Sequence, residues 1–169
     1  MPDIRPTREQ TAAHAVASGL AAGLISGLLL AWRGRIDNKT ACSALNAPSH
    51  WLWDDEALKH DGPSVRYTVV GTVIHQASSL LWSSIYAWLQ RRHQRPSVAA
   101  AAADAVAVTA VAAVVDLVVV PRRFTPGFER RLSAPSLGWV YAGFAVGLVI
   151  GAVRFMGRCR DGGDRDGPF

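Results

Sequence analysis

Four long apolar blocks, separated by polar segments, dominate the pattern of the chain. They cover residues 11–32, 66–89, 97–120 and 135–155. At a rise of about 1.5 Å per residue, each is long enough to cross a hydrocarbon layer of about 30 Å as a helix. The expected fold class is therefore all-α: an integral-membrane, four-helix transmembrane bundle. It forms one domain over 1–156, and the polar, Gly-rich 157–169 is expected to be a disordered tail. The first block is followed by no small-residue cleavage site, so it is read as a retained helix and not a signal peptide.

The longest polar segment, 33–65, carries Trp51-Leu52-Trp53 directly before Asp54, Asp55 and Glu56. Tryptophans favour membrane interfaces, and Asp55 to Lys59 has the i,i+4 spacing of a helical ion pair. This predicts a short interfacial helix in the first loop, ended by Gly62-Pro63. His50 with Asp54 and Glu56 with His60 also have metal-compatible helical spacing. They start six residues apart, on different faces, so a solvated acidic helix is the preferred reading and no metal is assigned.

Small residues recur every four positions in two blocks: Gly19, Gly23 and Gly27 in the first, Gly143, Gly147 and Gly151 in the fourth. Such stripes let helix backbones approach closely in lipid. The two ladders predict that the first and fourth helices pack on each other, antiparallel. The alternative is that each ladder serves a homo-oligomer.

Polar groups inside the blocks are the candidate sites, because ionisable residues at membrane depth are costly and commonly functional. The second block is the most polar, with His75, Gln76, Ser78, Ser79, Ser83 and Ser84. His75 is expected to make an interhelical hydrogen bond or to contact protons or ligand. Asp116 lies near the end of the third block, which stops at Pro121. It is followed by Arg122, Arg123, Glu129, Arg130 and Arg131, and reads as a clamp between that helix and the loop surface. If all four blocks span, Asp116 shares a half of the membrane with His75. Asp104 and His14 are a second expected pair, near the opposite face. The same topology puts 33–65 and 121–133 on one side, where Asp54, Asp55 and Glu56 face the arginines.

Charge adds less than it suggests. The 18 basic residues, all Arg except Lys39 and Lys59, give a formal net charge of +5. They flank apolar blocks, so the lipid bilayer is the expected partner and nucleic acid is not. Basic residues divide evenly between the two sides, and the dense turn at 90–96 places both termini in the cytoplasm. Cys42 and Cys159 fall on opposite faces, which excludes a bridge between them. No P-loop, GxSxG, HExxH or dinucleotide motif is present, so neither a cofactor nor an enzymatic activity is expected.

Asn46-Ala47-Pro48-Ser49-His50-Trp51-Leu52-Trp53, with Asp116 through Pro121, Arg123, Pro126 through Glu129 and Arg131 through Ser133, resembles a family of small, uncharacterised four-helix inner-membrane proteins of proteobacteria. That family has Gly after the Trp-Leu-Trp; this chain has Asp54. The resemblance implies architecture and a bacterial inner-membrane location, and no activity. The expected function is non-enzymatic, through helix packing and contact with a membrane-protein partner or a second copy. The alternative is an oligomeric transporter or channel component that uses His14, His75, Asp104 and Asp116.

Overall fold

The computed structural model describes residues 6–94 and 96–163, with side chains through Gly157. Among these residues the chain is entirely helical. The first helix, α1 (Arg8–Asn38), starts at a capping box: Thr7 Oγ1 accepts from the Gln10 amide, and Gln10 Oε1 accepts from the Thr7 amide. It ends at Lys39 in a left-handed conformation, six residues beyond the apolar block, so Arg33 and Arg35 are helical and not loop residues. Short helices α2 (Cys42–Asn46) and α3 (His50–Leu58) flank a 3-10 turn at Ala47–Ser49. A π-turn at Val65–Val69 leads into α4 (Val70–Gln90). Ser97 caps α5 (Val98–Val114), which runs into a second π-turn at Val115–Val119. The last helix, α6 (Ala134–Gly163), continues through 157–163, so the expected disordered tail is corrected for those residues. Residues 164–169 lie outside the described residues.

Among the described residues three helices are long and apolar enough to cross a membrane: Arg8–Asn38, Val98–Val119 and Ala134–Gly157. The outer faces of these helices are bare hydrocarbon, with Leu24, Leu28, Val106, Val118 and Val146 all exposed. A soluble monomer rarely leaves such continuous apolar ridges open, whereas lipid matches them. The fourth long helix, α4, stands outside that set because of its polar residues.

α1 is the shared surface. It packs extensively on both α6 and α4, while α5 packs on α6 and more lightly on α4. The antiparallel α1–α6 contact is present, but the two glycine ladders do not meet. Gly147 and Gly151 lie against the backbone of Ala22 and Ser18, and Gly143 against Leu29. Gly19, Gly23 and Gly27 turn to α4 instead, toward Ser83, Gln76 and His75. The physical reason is that α4 carries the polar side chains. They reach α1 carbonyls only where α1 has no side chain in the way.

The C-terminal end of α1 is tied to the start of α6. Arg33 Nε donates to Ser136 Oγ at 2.9 Å, and Asp37 Oδ2 accepts from the Ser133 amide at 2.8 Å. A carboxylate from α1 thus meets unpaired amides at the N-terminus of α6, where the helix dipole favours negative charge.

The expected interfacial helix is broken. Trp53 (φ −125°, ψ 22°) and Asp54 (φ 50°, ψ −148°) are not helical. Asp54 sits in a region that is essentially reserved for glycine, at a cost of about 1–3 kcal/mol for another residue. The glycine expected at this position from the resemblance is thus the residue that the backbone geometry favours.

Two predictions follow the packing. Gly151→Ala places a methyl against the Ser18 backbone, an overpacking penalty of about 1–3 kcal/mol, whereas Gly138 has nothing within 4 Å of an added Cβ. Thermal melting in detergent should show Gly151→Ala lowered by several degrees and Gly138→Ala unchanged or raised; equal shifts would contradict the contact. Similarly, Asp54→Gly relieves the backbone while Asp54→Ala keeps the strain and removes the carboxylate. The glycine variant should melt above the alanine variant by an amount corresponding to about 1 kcal/mol or more; the reverse order would rule out strain at this turn.

Candidate functional site

The first and third loops fold onto each other as a roof over one end of the helices. Arg123 pairs with Asp54, Arg130 Nη1 with Asp55 Oδ1 at 3.0 Å, and Arg131 with Asp61. Backbone contacts add direction: Arg123 Nη2 donates to the Trp51 carbonyl at 3.1 Å, Trp51 Nε1 to the Thr125 carbonyl at 2.8 Å, and Arg131 Nη1 to the Leu58 carbonyl at 2.8 Å. The exposed ion pairs contribute about 0–1 kcal/mol each. Buried Phe128 and the edge-to-face pair of Trp51 and Phe124, with ring centroids 6.2 Å apart and planes at 83°, supply more of the cohesion. Gly127 makes the turn possible: it has φ 83°, and a Cβ there would strike the Ala47 carbonyl and the His50 ring.

Beneath this roof lies a cavity of about 350 Å³ between α4, α5 and α6. Its wall is mostly apolar and aromatic, with Trp82, Phe144, Phe124 and Phe128 among the lining residues. Its polar lining includes His75 and Asp116, from different helices. His75 Nε2 lies 2.9 Å from Ser26 Oγ, whose own proton goes to the Ala22 carbonyl at 2.7 Å. The serine oxygen is therefore the acceptor and Nε2 the donor, an assignment from the hydrogen-bond network. Nδ1 is left as an acceptor in the neutral ring. Asp116, on a different helix, accepts from Tyr141 Oη at 3.2 Å. Asp116 stands in the π-turn at Val115–Val119, where the wider turn closes the end of α5.

The expected pairs are thus partly redrawn. His75 and Asp116 line the same cavity, each with a different hydrogen-bond partner. Asp116 meets Tyr141 and not Arg122 or Arg123, because those arginines turn outward to the loops. The pairing of Asp104 with His14 is corrected as well. Asp104 Oδ2 accepts from Gln90 Nε2 at 2.7 Å and lies 2.8 Å from His93 Nε2. His14 stacks on Phe155, centroids 4.8 Å apart and planes within 5°, and meets the edge of Tyr86. The turn after α4 bends back far enough for His93 to reach Asp104 before any residue of α1 does.

The remaining sequence candidates belong to the roof. His50, Asp54, Asp55, Arg122, Arg123 and Arg130 surround a second, polar cavity of about 430 Å³. His50 is buried and its Nδ1 lies 2.9 Å from the Ala47 carbonyl. Glu56 pairs with Arg66 at 3.6 Å, and Glu129 with Arg130 at 3.8 Å. Asp55 goes to Arg130 and not to Lys59, because the third loop brings the Arg130 guanidinium within 3.0 Å of its carboxylate. Among the described residues no three His, Cys, Asp or Glu side chains converge to hold a metal ion.

Several residues that shape the site were not anticipated from the sequence. Tyr141 looked like an ordinary apolar-block residue, Ser26 like an incidental small one, and Asp61 like a loop acid. Asn46, fully buried, was also missed. It donates to the His60 and Gly62 carbonyls at 2.7 and 3.0 Å and accepts from Thr68 Oγ1 at 2.6 Å, which pins the first loop to the start of α4. A lone Asn within Ala, Leu and Pro was the available signal. Comparison with protein-family models, with curated proteins and with solved structures yields no match, so the site is interpreted from its own geometry.

Proposed function

We propose that this is a small, non-enzymatic, multi-pass protein of a bacterial inner membrane that holds a small apolar or amphipathic molecule between its helices. All four long helices span the bilayer in this reading. α4 is included because its polar side chains turn to α1, while Val73, Leu81 and Ile85 are exposed outward. The cavity of about 350 Å³ reaching both His75 and Asp116 carries the proposal. Its size is that of a small-molecule pocket, and an apolar wall with a few convergent polar groups is the usual composition of such sites.

The glycine ladders support helix packing within the chain more than assembly between chains, because α4 covers the ladder of α1 and α1 covers that of α6. Contacts with a membrane-protein partner or a second copy would fall on the exposed outer ridges or the loop roof. The even division of basic residues leaves orientation to the dense 90–96 turn, which places the termini in the cytoplasm. A transport role is the second reading, favoured by the position of His75 and Asp116 on the wall of one cavity. In that reading several chains together complete a pathway.

Native mass spectrometry on protein extracted gently from its own membrane tests the binding role. Wild type should retain about one small molecule per chain after detergent release. Ser78 lines the cavity and is half-buried, so Ser78→Phe should fill part of the space and lose that molecule. Equal retention by the two proteins would overturn the assignment of this cavity as the binding site.

A further inference from the structure

The cavity joins one acid to many rings. Asp116 projects into a space lined by Trp51, Trp82, Phe124, Phe128 and Phe144. Its partner is a neutral hydroxyl, Tyr141 Oη, and among the described residues no arginine, lysine or histidine lies within ion-pair distance of it. Arg123, Arg130 and Arg131, which might have served, are each matched to a loop carboxylate. Glu129, which is outside the cavity lining, has its own cation in Arg130 at 3.8 Å.

An ionised carboxylate in apolar surroundings needs a counter-charge, and none is supplied among the described residues. Aromatic faces present negative potential and attract cations, most strongly where water is excluded. A small hydrophobic anion would meet Asp116 and the negative faces of the rings. A neutral hydrocarbon would leave Asp116 uncompensated.

We infer that the cavity takes a lipophilic cation, a molecule with an ammonium or comparable onium centre beside Asp116 and hydrocarbon or aromatic groups against Trp82, Phe144 and Phe128. This deepens the binding role proposed above and rests on it. The carboxylate supplies the counter-ion and the rings supply shape and polarizable contact. Tyr141 holds the carboxylate toward the cavity by its hydrogen bond.

Two probes of like size and opposite charge test the inference on the intact, purified chain. Saturable binding of tetraphenylphosphonium and of tetraphenylborate is measured by equilibrium dialysis against empty micelles. Wild type should bind the phosphonium at least roughly tenfold more tightly than the borate, the scale of one charge-assisted contact. Asp116→Asn keeps an oxygen for Tyr141 and removes the charge, and it should erase that preference. Ser78→Phe should weaken both ions. Equal binding of the two ions by wild type would overturn the cation assignment while leaving the cavity as a site. A preference that survives Asp116→Asn would overturn the role of Asp116. Saturable binding of neither ion would also overturn the cation assignment, and the native mass spectrum decides the cavity itself independently. The comparison of the two ions on wild type does not depend on any variant folding.

Discussion

The hydrogen bonds from α4 to the backbone of α1 are the constraint on which the arrangement depends. Gln76 Nε2 donates to the Gly19 carbonyl at 2.9 Å, and Ser83 Oγ to the Ala15 carbonyl at 2.7 Å. Those carbonyls already accept within their helix, and each has a second lone pair to offer. A side chain reaches it only if the helices lie unusually close. Gly19 and Gly23 permit that approach, since a Cβ at either would collide with Ser83 or Gln76. Each such bond is worth only about 0.6 kcal/mol in lipid. Its larger effect is to give a polar helix a partner and a fixed rotation, with hydrocarbon facing out.

Consequences run from that rotation to the cavity. α1 uses one face for α4 and another, through Ala22 and Ser18, for α6. α5 then leans on α6, where Ala101, Ala105, Val108 and Ala112 are buried, and meets α4 less closely. Small residues let α5 sit close to Phe144, Leu148 and Ala152. Toward the loop end, the larger rings of Trp82, Phe128 and Tyr141 hold a space open between α4 and α5. The loop roof caps this space, and its ion pairs fix which aromatic side chains point down. In this view Asp116 is part of the cavity wall, and the arginines beside it in sequence belong to the roof.

Helical content and the position of the apolar segments were legible in the sequence because both depend on local composition. The shared end of the two polar loops followed from an even number of crossings, and the Asp54–Arg123 and Asp55–Arg130 pairs agree with it. The partners of individual groups were less legible. Depth along a helix can be counted, but rotation cannot, so Asp104 was assigned to His14 when Gln90 and His93 were within reach of the same turn. The glycine ladders showed that close contacts exist and not which helix each one meets. Tyr141 could not be singled out, since its role depends on Asp116, 25 positions away. Asp54 is the converse case: a glycine expectation that came from resemblance is matched by a backbone angle that local propensity alone would not have given.

The central claim is that the space between α4, α5 and α6 is occupied by a hydrocarbon-bearing molecule, while the α1–α4–α6 contact is closed. The chain has three tyrosines, which makes the claim directly measurable. Tyr141 lines the cavity, whereas Tyr86 is fully buried in the packed core and Tyr67 is buried in the loop region. With ring-labelled tyrosine, nuclear Overhauser contacts are recorded between ring protons and the aliphatic or aromatic protons of unlabelled bound molecules. Contacts to Tyr141 and none to Tyr86 are the predicted result. A Tyr141 ring as silent as that of Tyr86 would contradict an occupied cavity.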